Sequence, residues 1–537
     1  MKPLQPRPRD PKPLAIAWIG MDPLIAALLR PEAHRPAPER VELLETHISW
    51  ILLAGPLAYK IKKPVNLGFV DFSTQERRAW FCTEELRLNR RLCPDLYLEV
   101  VPIHGPRESA SFEGEGPVIE MALKMRRFPQ SALLPAALER GAVPAEAFTA
   151  LAEGLAAFHA RAAVAEAGQP WGEPPAVIEP ALANLAVLES CGVDPPVVAA
   201  LRRWSEAEAQ RLLPLFRRRK QQGRVRECHG DLHGGNMALL EGRIEVFDCL
   251  EFSPELRWID VVSDLAFAAM DLQHAGQERA ASSLLARWLE RSGDYEGLLV
   301  WTWYRLYRAL VRAKVTALRL QQTRAAAPLE PTAAGQEELA SYLAFAQTLI
   351  RPRRPVLLIT HGISGSGKSH WAAQLAARRG WIALRSDVER KRRFGLWGEP
   401  NTAAPPPSAA LYDPGVSRWL YEERLCRCAA AALAAGLDVV VDATFLRRQQ
   451  RQLFAALARR CGARFGLLVC EVDPRRARQR VEDRRRLGGD PSDADAAVIE
   501  RQLQTLEPIT PRERRLAPVW PGSEAGLEQL LGWAEDA

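Results

Sequence analysis

Two runs in this 537-residue sequence have residue types and spacing suited to handling phosphate. The first is His229-Gly230-Asp231-Leu232-His233-Gly234-Gly235-Asn236, which fits H-x-D-x-x-x-x-N. In such a run the Asp231 carboxylate can accept a proton from an attacking hydroxyl, and the Asn236 amide can turn back to hold a metal ion. After Arg243-Ile244-Glu245-Val246-Phe247, a predicted strand, comes Asp248, a second carboxylate able to take metal. The second run, Gly362-Ile363-Ser364-Gly365-Ser366-Gly367-Lys368-Ser369, matches G-x-x-x-x-G-K-[ST] at every constrained position. Glycines let backbone N–H groups curl around phosphate oxygens. Lys368 can reach the outer phosphates of a nucleotide such as ATP, and Ser369 can ligate Mg²⁺.

Two more acids accompany the second run. Asp387 stands just past the apolar stretch ending at Leu384, where a base can meet an acceptor hydroxyl. Asp442 ends the run Leu437-Asp438-Val439-Val440-Val441, where a carboxylate completes a metal site. Further on, Arg475 to Arg486 carries seven arginines. Alone, such a stretch reads as a solvated helix face.

The elements that must position these residues fall into two patterns. From about residue 40 to 125 the chain reads as strands with one helix. Ile48–Leu53 and Leu57–Val65 are paired strands around a Gly55-Pro56 turn, Thr74–Leu92 is a helix capped at Ser73 or Thr74, and Val118–Met125 is another strand. Residues 130–225 and 255–320 read as helices, with short strands between them around the first run. Ala325–Gly335 reads as a linker, and Glu337–Ile350 as a connecting helix. The second run opens an alternating pattern with strands at Pro355–Thr360, Trp381–Leu384, Asp438–Val441 and Gly466–Val472, which predicts a parallel sheet. The expected organisation is a basic, Pro-rich segment 1–35, a domain 36–322, a linker and connecting helix 323–353, and a domain 354–537.

Bulk composition agrees with a two-domain globular chain: 47% of residues are hydrophobic, 26% charged, and the formal net charge is +7. The positive excess reads mainly as solvated arginine. The nine cysteines form no C-x-x-C pair, which suits a reducing compartment and predicts a cytoplasmic protein. The apolar run Leu14–Leu29 is broken by Asp22-Pro23, so it predicts a short amphipathic helix rather than a leader, and no membrane partner is expected. A nucleic-acid partner is the less favoured alternative, because no aromatic-plus-basic binding module accompanies the arginines. Nothing in the sequence sets an oligomeric state.

The first run, with Asp248, Glu251-Phe252 and the Asp260 and Asp264 of Trp258–Ala266, resembles the aminoglycoside-phosphotransferase family, relatives of protein kinases. That resemblance covers about residues 40–320. It implies an α+β, protein-kinase-like bilobal domain in which Asp231 is catalytic and Asn236 and Asp248 hold Mg²⁺. It also implies a nucleotide-binding lysine on Ala58-Tyr59-Lys60-Ile61-Lys62. Lys60 and Lys62 share a strand face; Lys60 is favoured, with Glu85 as its helix partner and Glu84 second. Asp260 and Asp264 read as capping and loop-fixing residues, and His159 as a packing histidine. This half departs from the kinase pattern: Gly230 precedes the catalytic Asp, Asp248 is not followed by Phe-Gly, and only Gly55 stands before Lys60 where a glycine-rich loop is usual. A small-molecule acceptor is therefore favoured over a protein. The second half, about 355–520, resembles P-loop kinases related to polynucleotide kinase, gluconate kinase and zeta toxins. That implies an α/β P-loop domain using ATP and Mg²⁺, with an arginine lid over the transferring phosphate from Arg480 and Arg484. The joint order resembles proteins described as bifunctional aminoglycoside phosphotransferase/ATP-binding proteins. It implies two ATP sites and transfer to hydroxyls of small molecules. The alternatives are a regulatory ATP-binding half, or a nucleic-acid 5′-hydroxyl kinase in the second half.

Overall fold

The computed structural model describes residues 21–68, 70–326, 333–398, 408–487 and 492–535. Residues 1–20 of the expected N-terminal segment and 327–332 of the expected linker lie outside the described residues. The chain separates into two compact units, Met1–Phe128 and Pro129–Ala537. The second unit holds the helical remainder of the first expected domain together with the whole of the second.

In the first unit, β1 (Val41–Glu45), β2 (Ser49–Ala54), β3 (Leu57–Lys62), β4 (Tyr97–His104) and β5 (Val118–Arg126) form an antiparallel sheet in the order β1-β2-β3-β5-β4. Gly55, at φ 57°, makes the tight turn between β2 and β3. β3 stops at Lys62 rather than Val65, because Pro64 has no N–H to extend the ladder. The Thr74 hydroxyl accepts the Arg77 N–H at 3.3 Å and caps the helix Gln75–Asn89. Arg78, Cys82, Glu85 and Asn89 recur three or four residues apart and form its buried stripe. The helix Pro23–Leu28 starts at an Asp22 cap, within the apolar run read as an amphipathic helix.

In the second unit, helices surround two small antiparallel pairs: β6 (Val225–Glu227) with β9 (Trp258–Asp260), and β7 (Met237–Leu240) with β8 (Arg243–Val246). Helix Ala333–Leu349 begins earlier than the sequence suggests. It buries Tyr342 and Ala346 in one apolar core with Leu185, Leu201, Phe267, Leu306 and Leu310. The connecting helix thus completes the helical core instead of bridging open space.

The strands β10 (Val356–His361), β11 (Ile382–Arg385), β12 (Val439–Asp442), β13 (Arg464–Val469) and β14 (Val519–Pro521) make a fully parallel sheet in the order β11-β12-β10-β13-β14. Every residue of β10 and β12 is buried, as expected of parallel strands covered on both faces. The four strands read from sequence are present with ends displaced by a few residues. The three-residue β14 carries too little pattern to be read. The ends of β10, β11 and β12 meet at one edge, where doubly wound sheets place ligands.

Candidate active sites

In Met1–Phe128 the β3 ladder points Lys60 and Lys62 to one face, and both meet the same carboxylate. Lys60 Nζ lies 2.7 Å from Glu85 Oε1, and Lys62 Nζ 2.7 Å from Glu85 Oε2. Glu84 pairs instead with Arg87, one turn along its own helix. Burial acts to raise the Glu85 carboxyl, but the two ammonium groups outweigh it and hold it at about 2. The Lys62 ammonium also lies 4.8 Å from the centre of the Phe72 ring.

In Pro129–Ala537 the loop after β6 is tied down by its neighbours. The two carboxylate oxygens of Asp264 accept the N–H groups of His229 and Gly230, each at 3.0 Å. Gly230 has φ 89°, and a Cβ there would lie 2.8 Å from the Leu256 carbonyl, so only glycine fits. Arg308 donates to the Gly230 carbonyl at 3.0 Å. The Asn236 amide donates to both the backbone and side-chain oxygens of Asp231 at 3.0 Å. The Gly234 N–H donates to Asp271 at 2.8 Å. The spacing from Asn236 to Asp248 is the β7–β8 hairpin. The Phe247 N–H donates to the Asn236 carbonyl at 3.0 Å, which brings Asp248 back beside Asn236. Asp248 has φ 63°, a left-handed conformation that costs a non-glycine residue energy and marks functional sites.

Burial acts to raise Asp231 too. The His233 hydrogen bond and the charges of His233, His229 and Arg308 outweigh it and hold the carboxyl at about 2. His159 is a packing residue: it accepts the Trp288 indole N–H at 3.0 Å and lies 3.3 Å from Asp264. Asp260 caps the helix Val261–His274 and is bound by the buried Arg219 guanidinium, which also binds Asp294 at 2.8 Å. Arg308 and Asp271, which hold the loop, and Asp294, which holds Arg219, have no motif signal; each lies far along the chain from its partner.

Between β10 and the helix Lys368–Arg379 the glycine-rich loop closes on itself. Gly362, Gly365 and Gly367 have φ of 144°, 79° and 96°. A Cβ on Gly362 would lie 2.3 Å from the Cys470 carbonyl, and one on Gly365 2.6 Å from that of Ala477. Lys368 Nζ donates to the Ile363 carbonyl at 2.6 Å, spanning the loop. Arg480 donates to the Gly365 carbonyl at 3.1 Å, and the Ser364 N–H to Gln502 at 2.7 Å. Burial lowers the Lys368 ammonium and raises the Asp442 carboxyl, with Ser369 hydrogen-bonded to Asp442. Asp387 is paired with Arg390 at 2.5 Å.

One cavity of about 1750 Å³ is lined by Ser364–Ser369, Asp387, Asp442, Arg480 and Arg484. Gly362 and Ile363 shape the loop from behind and do not line it. Arg390, Tyr412, Tyr421 and Thr444 line it as well. Arg390 and Tyr421 come from helices, and Tyr412 and Thr444 from the segments just after Leu411 and β12, with no recognisable spacing, so pattern reading does not find them.

Two family models match the chain: the phosphotransferase enzyme family over residues 72–307 and an AAA domain over residues 357–509. An uncharacterized protein of Mycobacterium tuberculosis, Rv2004c, is 31% identical over 497 residues, covering 89% of this chain and 95% of the relative. Mb2027c of Mycobacterium bovis matches equally. The chain belongs to the family of these mycobacterial proteins. These relatives match the chain over most of its two-domain length. Among solved structures, a choline/ethanolamine kinase family protein from Mesorhizobium loti is 14% identical, covering 58% of this chain and 88% of its own, at a TM-score of 0.37. Kti12 from Chaetomium thermophilum, solved with ADP-AlF3, is 18% identical, covering 34% and 98%, at a TM-score of 0.26.

Proposed function

We propose that the chain is an ATP-dependent phosphotransferase with two catalytic centres, each moving the γ-phosphoryl group onto a hydroxyl of a small molecule. The observation that carries the P-loop centre is a cavity that gathers the glycine-rich loop, the buried Lys368 and Asp442, Asp387 and the Arg480/Arg484 helix. The loop suits a nucleotide's phosphates: a Cβ on Gly362 or Gly365 would strike a backbone carbonyl, and the buried Ser366 hydroxyl has no protein partner among the described residues. A bound nucleotide supplies the phosphoryl group, and Mg²⁺ offsets its charge. Lys368 and the loop N–H groups hold the phosphates, while Ser369 and Asp442 hold the metal. Asp387 orients the acceptor hydroxyl and takes its proton. Arg480 and Arg484 face the charge that develops on transfer.

In Pro129–Ala537, Asn236 and Asp248 are the metal ligands of the other centre; in Met1–Phe128, Lys60 and Lys62, organised by Glu85, are cations suited to binding phosphate. Asp231 is the acceptor-side carboxylate. At about 2 it is a weak base, so it positions the hydroxyl and takes the proton only as the new bond forms. All nine cysteines are free thiols, which supports a reducing, cytoplasmic setting. No helix among the described residues is long and apolar enough to cross a membrane.

The test combines ATP–Mg²⁺ calorimetry with turnover of γ-labelled ATP over a panel of hydroxyl acceptors. Wild type is expected to titrate as two sites. Lys368→Ala should weaken one of them about 10²-fold and leave the other. Asp231→Asn should keep both sites and cut the Lys368-independent turnover about 10²–10⁴-fold. Loss of both sites in Lys368→Ala would overturn the two-centre reading, and unchanged turnover in Asp231→Asn would make the first domain a nucleotide sensor.

A further inference from the structure

The helix that carries Asp387 is fastened to the other half of the chain. In the first domain, helix Glu278–Ser292 ends at Gly293, left-handed at φ 69°. Its last carbonyls have no partner within the helix. Side chains from the P-loop half take them. Arg392 donates to the Glu290 carbonyl at 2.5 Å and to that of Arg291 at 3.1 Å. Trp397 donates to the Glu290 carbonyl at 2.9 Å, and Arg424 to that of Gly293 at 2.9 Å. Between the two arginines sits Glu389, its side chain 0% exposed, 2.7 Å from Arg424 Nε and 3.3 Å from Arg392 Nε. A carboxylate this buried is tolerable only while both guanidinium groups stay in place. Glu389 lies on the same eight-residue helix, Ser386–Arg393, as Asp387. Side chains also pack onto both glycines: a Cβ on Gly293 would lie 2.7 Å from the Arg392 side chain, and one on Gly380 2.3 Å from the Ser282 hydroxyl.

The same turn is anchored on its other side. Asp294 is held by Arg219, which also holds Asp260, the cap of the helix whose Asp264 fixes the His229–Asp231 loop. Residues 290–294 therefore join supports of both aspartate loops.

We infer that the turn 290–294 of the first domain positions Asp387 in the P-loop centre, with Glu389, Arg392 and Arg424 as its positioning residues. This rests on the reading of Asp387 as the acceptor-side base. The P-loop centre then works at full rate only with the first domain docked against it. A displaced turn moves the helix and Asp387 while leaving the phosphate cradle, formed by other elements, intact.

The experiment follows the Lys368-dependent share of ATP hydrolysis by the full chain, with water as acceptor. Gly293→Ala presses on Arg392. Gly276→Ala bears similar strain, at φ 73°, but has nothing within 4 Å of the new Cβ. Gly293→Ala and Glu389→Gln should each lower kcat about 10-fold, with KM for ATP unchanged within about twofold. Gly276→Ala should change neither, although both glycine variants lose similar thermal stability. If Gly293→Ala behaves like Gly276→Ala and Glu389→Gln is silent while Asp387→Asn abolishes hydrolysis, the inference is wrong. If Asp387→Asn itself keeps full kcat, the base assignment fails and takes the inference with it.

Discussion

Around Asp231 the backbone is held by side chains: Asp264 and Asp271 accept its N–H groups, Arg308 donates to its carbonyl, and Asn236 closes it from within. Around Lys368 the constraint comes mainly from the chain itself. Glycines at positive φ press against the Cys470 and Ala477 carbonyls, and the Ser366 hydroxyl is left without a protein partner among the described residues. The first loop has its shape before any ligand arrives, at the cost of depending on distant residues. The second keeps donors in reserve and depends on residues that cannot be larger than glycine. The lesson is that two loops serving similar charge chemistry put their vulnerability in different places.

The largest expected effect that tests this contrast is Asp264→Ala. It strands two buried N–H groups and should cost about 3 kcal/mol of unfolding free energy, read by urea denaturation. A loss near zero would mean that the first loop holds itself.

A smaller effect is expected at the second tier of support. Burial acts to raise Asp294, but Arg219 outweighs it and brings the carboxyl from its ordinary 3.8 to about 2. A carboxyl lowered in the folded state contributes fully above pH 4 and loses that contribution as the pH falls from 4 toward 2. Asp294→Asn should therefore destabilise by about 2 kcal/mol at pH 7, with the difference from wild type shrinking below pH 4. Thermal melts across that range check it; a difference that grows on acidification would break the assignment.

The smallest effect is Ser366→Ala. With no partner among the described residues to lose, it should shift unfolding by less than about 0.5 kcal/mol without nucleotide, yet weaken ATP binding by roughly fivefold. A stability loss matching that of Asp264→Ala would erase the contrast between the loops.

Much of the fold was legible because periodicity reports burial directly. The unbroken apolar runs of β10 and β12 mark covered parallel strands, and the Gly55 turn marks the β2–β3 pair. β1, β4 and β14 did not stand out individually, since short or half-exposed strands leave little pattern. The glycine-rich loop and the Asp231–Asn236–Asp248 spacing could be read for a different reason. Each is a local device: a strand-to-helix turn in one case, a loop with its hairpin in the other, so distance along the chain sets distance in space.

Partner choice across the fold was decided only by tertiary structure. The sequence placed Lys60 and Lys62 on one strand face but could not choose between them; the fold brings both to Glu85 and leaves Glu84 to Arg87. Nor does any spacing connect Asp264 to the Gly230 backbone, or Arg392 and Arg424 to the carbonyls of residues 290–293. A repeat of 2.0 or 3.6 residues specifies which way a side chain faces, and the sequence by itself determined that much. What stands opposite that face depends on how helices and strands distant along the chain pack, and this is the level at which the two loops acquire their supports.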